Sequence, residues 1–207
     1  LLRHDLPRLV AMLAAVPGVE DLSLTTNGAL LERDAAALAE AGLRRVTVSL
    51  DSLDDATFAA NNDSSVPVAQ VLAGIEAAAA VGLTPVKVNV VVRRGINDGE
   101  VIALARRFKG TGHIVRFIEY MDVGHSNGWR LEQVVPAAEV VAAIGAEMPL
   151  EPIPPNYPGE VARRFRYRDG SGEIGVVGSV TLPFCGSCHR ARISADGRFS
   201  KQVKGRT

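Results

Sequence analysis

The sequence predicts an α/β fold in which a (β/α) barrel or a doubly wound sheet carries a small antiparallel extension. Three features predict it. Short β-branched segments alternate with helix-period segments over the first two-thirds of the chain, which is the mark of βαβ units with parallel strands. After Val123 the pattern changes to Gly- and Pro-rich loops and closely spaced strand segments that read as antiparallel. The 207 residues are 47% apolar and 22% charged, an ordinary balance that can bury a sizeable core. The expected organisation is a partial barrel over residues 1–123 and an extension over 124–207.

The elements follow in order. Pro7 to Ala15 carries Leu9, Val10, Leu13 and Ala14 on one stripe and reads as an amphipathic helix, with Asp5 as its N-cap. Asp21 to Asn27 is a short strand ended by an Asn27-Gly28 turn. Glu32 to Ala41 is a helix closed by Gly42. Arg45 to Asp51 is a strand, and Asp54 to Ala60 a short helix capped by Ser52 or Asp54. A polar loop, 61–67, precedes a helix from Val68 to Ala80 closed by Gly82. Pro85 to Val92 is a strongly β-branched strand. Asn97 or Asp98 caps a helix from Glu100 to Phe108, and Ile114 to Met121 is a fourth strand. Beyond the Gly/Asn loop 124–129 come a helix from Pro136 to Ile144 and a Pro-rich stretch over 151–157. Strands Val161–Tyr167 and Glu173–Val180 then flank a turn at Asp169-Gly170.

Lys plus Arg and Asp plus Glu each number 23, so the net charge is zero and nothing global favours nucleic acid or an acidic membrane. No segment approaches the roughly 20 apolar residues that span a bilayer, and no secretory signal is visible, so the expected setting is cytoplasmic. The chain opens at Leu1 without Met and ends on an unpatterned basic segment, which reads as a fragment.

In either α/β arrangement the functional edge is the C-terminal end of the strands. Polar residues gather there in sequence: Thr25, Thr26 and Asn27; Ser49 and Asp51; Lys87 and Asn89; Glu119, Met121 and Asp122. Together they predict a lined cavity. Lys87, inside an apolar strand, either faces that cavity or snorkels from a strand end. A Lys-using aldolase with Lys87 as its Schiff base is a competing reading of the same oddity.

Pro183-Phe184-Cys185-Gly186-Ser187-Cys188 is the sharpest local motif. Two thiolates on a Gly-containing turn can reach one metal or cluster, although a complete site needs further ligands; a redox pair is the other reading of C-x-x-C. Arg190 and Arg192 follow at strand spacing, so both face one side. They suit an anionic ligand beside the thiolates, or stand as surface residues of an edge strand.

Taken together, several stretches resemble the GTP 3′,8-cyclase family of molybdenum cofactor biosynthesis. They are Leu24 to Gly28, Val46 to Leu53, Val86 to Asn89 with Arg94 to Asn97, Arg116 to Met121, and Phe184 to Cys188 with Arg190 and Arg192. The resemblance runs in order from residue 1 to about 199. It implies an incomplete radical S-adenosylmethionine (SAM) (β/α) barrel that converts GTP to 3′,8-cyclo-7,8-dihydro-GTP. It also implies two [4Fe–4S] clusters: one cleaves SAM to a 5′-deoxyadenosyl radical and the other anchors GTP. By matching position, Thr25, Lys87, Arg190, Ala191 and Arg192 resemble GTP contacts, Ser49 and Met121 resemble SAM contacts, and Cys185 and Cys188 match two ligands of the second cluster. A homodimer, and cyclic pyranopterin monophosphate synthase as a functional partner, are implied in the same way.

The chain departs from the family pattern in specific places. No C-x₃-C-x₂-C for the SAM-cleaving cluster is present, since Cys185 and Cys188 are the only cysteines. The third ligand of the second cluster falls at the position of Gln202, and from Ser200 onward the resemblance ends. These departures carry the alternative expectation of a truncated, inactive remnant that at most binds GTP or a partner.

Overall fold

The computed structural model describes residues 3–62, 65–122, 128–182, 191–194 and 196–201. Four strands, β1 (Ser23–Thr26), β2 (Arg45–Ser49), β3 (Lys87–Val92) and β4 (Ile114–Glu119), lie side by side in sequence order and run parallel. Three more complete one sheet. β5 (Leu150–Ile153) pairs antiparallel with β6 (Arg163–Tyr167), β6 pairs antiparallel with β7 (Glu173–Val177), and β7 lies parallel to β4. The sheet order is therefore β1-β2-β3-β4-β7-β6-β5. A separate hairpin joins β8 (Ala191–Ile193) to β9 (Phe199–Lys201).

The parallel pairs are connected by α1 (Leu6–Ala14) ahead of β1, α2 (Leu31–Glu40), α3 (Asp55–Asn62) with α4 (Val68–Ala80), and α5 (Val101–Phe108); α6 (Ala137–Glu147) leads into β5. Each strand alternates. Val88, Val90 and Val92 of β3, and Val115 and Phe117 of β4, are buried against helical residues such as Leu31, Leu38, Ile75, Leu104 and Ile144 in one apolar core. The intervening residues, Lys87, Asn89, Ile114 and Arg116, are half-buried on the opposite face of the sheet. Period-2 alternation thus separates a core face from an open face that carries charge. This is a parallel-dominated sheet of the incomplete-barrel kind, with antiparallel strands toward its C-terminal side.

Several local expectations are corrected. The Pro-rich stretch, to which the sequence assigns no element, begins inside β5 over residues 151–153, where a place at the sheet edge leaves Pro152 with no ladder bond to break. β7, read as an antiparallel strand alone, also bonds in parallel to β4, so the sheet is continuous from the first barrel strands to the last. Asp5 precedes α1 without a side-chain cap bond, and its carboxylate pairs with Arg3 instead. Asp54 does cap α3, accepting the Thr57 N–H at 2.8 Å. Asn97 caps nothing with its side chain. It is buried, donates to the Asp51 carbonyl at 2.6 Å and the Val91 carbonyl at 2.9 Å, and accepts the Arg93 N–H at 2.8 Å. It thereby ties the loop after β2 to the end of β3.

The turn after β1 needs Gly28. Its φ is +80°, and a Cβ there would meet Val71 Cγ1 at 2.9 Å and Val48 Cγ1 at 3.1 Å. Gly28→Ala is expected to cost about 2–3 kcal/mol from the left-handed backbone and overpacking combined. Urea unfolding checks this: the midpoint should fall with an unchanged m-value, and an unchanged midpoint would contradict it.

Candidate functional site

The register of the parallel strands sets side chains from different strands on shared rungs. Thr25, Thr47 and Lys87 are in-line partners across β1, β2 and β3. One rung further, Ser49, Asn89, Arg116 and Gly175 align across β2, β3, β4 and β7, with Arg164 of β6 next to Gly175. All these residues face away from the helices, because in-register partners share a face. Thr25 and Lys87 therefore share one rung with Thr47 between them, and Ser49 sits on the next.

Arg116 lies across this surface. Its Nε donates to Asn89 Oδ1 at 3.0 Å. Its stem passes over Gly175, where the position of an added Cβ is 3.1 Å from Arg116 Cγ. A side chain at 175 would displace the guanidinium. At the N-terminal side of the sheet Arg45 forms an ion pair with Asp21, and across β6 and β7 Arg164 pairs with Glu173. None of the ion pairs among the described residues engages Lys87 or Arg116.

The electrostatics are those of crowded cations. Burial holds Lys87 below the ordinary lysine value of 10.5, and repulsion from Arg116 and Arg45 pushes it the same way; Glu160 and Glu173 oppose the shift. Burial likewise depresses Arg116; Tyr157 and Glu160 oppose the shift, and Arg45 adds repulsion. Two half-buried cations that repel each other are stabilised by an anion placed between them. This face can therefore hold a polyanion such as a nucleotide phosphate chain, with Thr25, Thr47, Ser49 and Asn89 as neutral hydrogen-bonding groups beside it.

The expectation of a polar rim at the C-terminal strand ends is corrected in two ways. Lys87 is the first residue of β3, so it lies within the open face and not at the rim. Three of the rim residues serve the backbone. Thr26 Oγ1 accepts the Gly28 N–H at 3.1 Å, Asp51 Oδ1 accepts the Val91 N–H at 2.7 Å, and Glu119 is buried on backbone donors. Met121, two residues beyond β4, is 41% exposed. Trp129 is half-buried, its Nε1 donating to the Tyr120 carbonyl at 3.0 Å.

Cys185, Cys188 and Arg190 lie outside the described residues. Ala191 and Arg192 are exposed in the β8–β9 hairpin, and no hydrogen bond or ion pair among the described residues joins them to the open face. Among the described residues no group of three His, Cys, Asp or Glu side chains could hold a metal. The C-x-x-C spacing of Cys185 and Cys188, which lie outside those residues, fits two ligands of one iron–sulfur cluster.

Arg116 is the site residue absent from the polar set read in the sequence; Asn89 belongs to that set, and what the sequence does not show is its bond to Arg116. The signal was present: an Arg within Ile-Val-Arg-Phe-Ile is as anomalous as the Lys within Val-Lys-Val. Gly175 inside β7 is a second sign of close approach at that point.

Comparison with known proteins places these observations. Residues 1–108 match the model of the radical SAM superfamily, and residues 113–201 match that of Molybdenum Cofactor Synthesis C. Over 197 residues the chain is 62% identical to the GTP 3′,8-cyclase of Acidothermus cellulolyticus, covering 95% of this chain and 54% of that protein. It is 53% identical to the GTP 3′,8-cyclase of Xanthomonas axonopodis pv. citri over 96% of this chain and 60% of that one. For the GTP 3′,8-cyclase of Staphylococcus saprophyticus the values are 44%, 96% and 58%. The chain thus spans a little over half the length of the relatives it matches. No helix among the described residues is long and apolar enough to cross a membrane.

Proposed function

The chain belongs to the radical SAM superfamily, and from that premise we propose that it is part of a GTP 3′,8-cyclase, the enzyme that converts GTP to 3′,8-cyclo-7,8-dihydro-GTP for molybdenum cofactor synthesis. One observation carries the reading: the rungs Thr25-Thr47-Lys87 and Ser49-Asn89-Arg116 put two unneutralised cations and several hydroxyl and amide groups on the open face of a radical SAM-type sheet.

In this reading the chain's own residues bind and orient. Lys87 and Arg116 attract the phosphates of GTP, Thr25 adds a neutral contact, and Asn89 holds the Arg116 guanidinium in place. Arg190, Ala191 and Arg192 contact GTP beside Cys185 and Cys188, which supply two ligands of the GTP-anchoring [4Fe–4S] cluster. Ser49 and Met121 contact SAM. SAM, when bound at Ser49 and Met121 with a cluster of its own, would supply one-electron chemistry, and the protein would supply position and shielding. Residues 1–123 carry the barrel part and 124–207 the extension with the thiolates. A homodimer, work alongside cyclic pyranopterin monophosphate synthase, and a cytoplasmic setting complete the proposal.

The test is a nucleotide titration of the purified chain. GTP should bind and compete against ATP with at least tenfold preference, and the affinity should fall as salt rises. Equal affinity for both nucleotides, or no binding at low ionic strength, would contradict the reading.

A further inference from the structure

Glu119 ends β4, is 2% exposed, and has no cation as partner in any ion pair of the described residues. Its carboxylate is held by four donors. Oε1 accepts the Ala137 N–H at 2.8 Å and the Thr181 hydroxyl, while Oε2 accepts the Val180 N–H and the Thr181 N–H, each at 2.8 Å. Burial pushes this carboxyl up, and the Thr181 hydroxyl with the three backbone N–H groups outweighs it, so the group stays ionised.

A buried carboxylate is an expensive way to join two segments unless the donors it collects must be held in one arrangement. Here they come from two places. Ala137 is the first residue of α6, so the carboxylate also meets the positive end of that helix. Val180 and Thr181 lie just beyond β7, with Thr181 four residues ahead of Cys185. On the other side, Met121 follows Glu119 by two residues.

We propose that Glu119 is a positioning residue: its buried carboxylate clasps the backbone of Val180 and Thr181 and the first turn of α6 to the end of β4, and so fixes the point from which the thiolate segment departs relative to Met121. This rests on the reading of Cys185 and Cys188 as iron ligands. The carboxylate is 2% exposed and taken up by four protein donors, so it acts through the chain that carries the thiolates. No neutral side chain of the same shape can replace it. Glu119→Gln would turn one oxygen into an N–H₂ facing backbone donors, leaving at least one N–H without an acceptor.

The test compares the wild-type chain with E119Q by two readouts. Amide hydrogen exchange follows Val180 and Thr181 against the amides of β2 and β3. Titration with Co(II) follows the thiolate charge-transfer band that reports capture by Cys185 and Cys188 together. E119Q is expected to speed exchange at Val180 and Thr181 at least tenfold, leave β2 and β3 protected, and weaken Co(II) capture about tenfold. Faster exchange with unchanged Co(II) affinity would make Glu119 a fold residue only, and unchanged exchange would remove the clasp altogether; either result overturns the proposal. A wild-type chain without the band contradicts the iron-ligand reading and the proposal together, whereas an unchanged band in E119Q contradicts the proposal alone. Should E119Q fail to fold, Thr181→Val removes one donor, from an exposed residue, and carries the same comparison with an expected threefold loss.

Discussion

Lys87→Ala is expected to weaken GTP binding about thirtyfold, the loss of roughly 2 kcal/mol that attends removal of one charge-assisted contact to a phosphate. The expectation follows from the position of the side chain. Lys87 is half-buried on the open face, shares a rung with Thr25 and Thr47, and stands in the field of Arg116 and Arg45. In the free protein this arrangement is unfavourable for the charged amine. Removing the amine should therefore leave the fold equally stable or slightly more so, while affinity collapses. A chain that became unstable and kept its affinity would reverse the assignment. The pH dependence has two signs. Because the Lys87 value is depressed in the folded chain, the charged form opposes folding, and this penalty is relieved as pH rises from the depressed value toward 10.5. Nucleotide affinity moves the other way over the same window, because the anion needs the protonated amine. Titrations at increasing pH should show affinity falling while the urea midpoint does not fall with it, a divergence that Lys87→Ala abolishes.

Asn97→Ala is expected to destabilise the chain by about 3 kcal/mol. The Asn97 side chain is 1% exposed and makes three hydrogen bonds, to the Asp51 and Val91 carbonyls and from the Arg93 N–H. Truncation leaves three buried backbone groups without partners, each at about 1 kcal/mol or more. Asn97→Asp should be at least as harmful, because a carboxylate cannot donate to two carbonyls and would face them with negative charge. The loop after β2 should then loosen from the end of β3. Chemical denaturation measures the loss, and a shift below 1 kcal/mol for Asn97→Ala would show that water replaces the side chain.

These two residues show which parts of the molecule were legible from the chain alone. The helices and parallel strands were readable because their periodicities and glycine stops are local; Gly42 and Gly82, both at positive φ, close α2 and α4 as expected. Lys87 was readable as an anomaly, a cation within a β-branched run, although its place along the strand was not. Asn97 was misread because a polar residue ahead of a helix has the same local signature whether it caps the helix or bridges two strand ends. Pairing was the least accessible level. The parallel seam of β4 with β7 joins residues far apart in the chain, and the strand character of β5 was hidden by Pro152, which only an edge position permits. The Arg116–Asn89 pair depends on register between two strands, and register becomes visible only once the sheet is built.

The carboxylates divide by environment. Asp51 and Glu119, which the sequence places at the rim with the ligand-facing groups, are buried and used to hold backbone. The cations Lys87 and Arg116 stay half-buried on the open face without carboxylate partners among the described residues' ion pairs. Acids that knit loops together, and bases left free to meet an anion, give this face its positive character although the chain as a whole carries no net charge.

The most direct measurement is a crystal structure of the chain grown with GTP. Density for the phosphate chain should lie on the open face, with an oxygen about 3 Å from Lys87 Nζ and another within reach of the Arg116 guanidinium. Nucleotide density on the helical side of the sheet, with both cations left bare, would contradict the account.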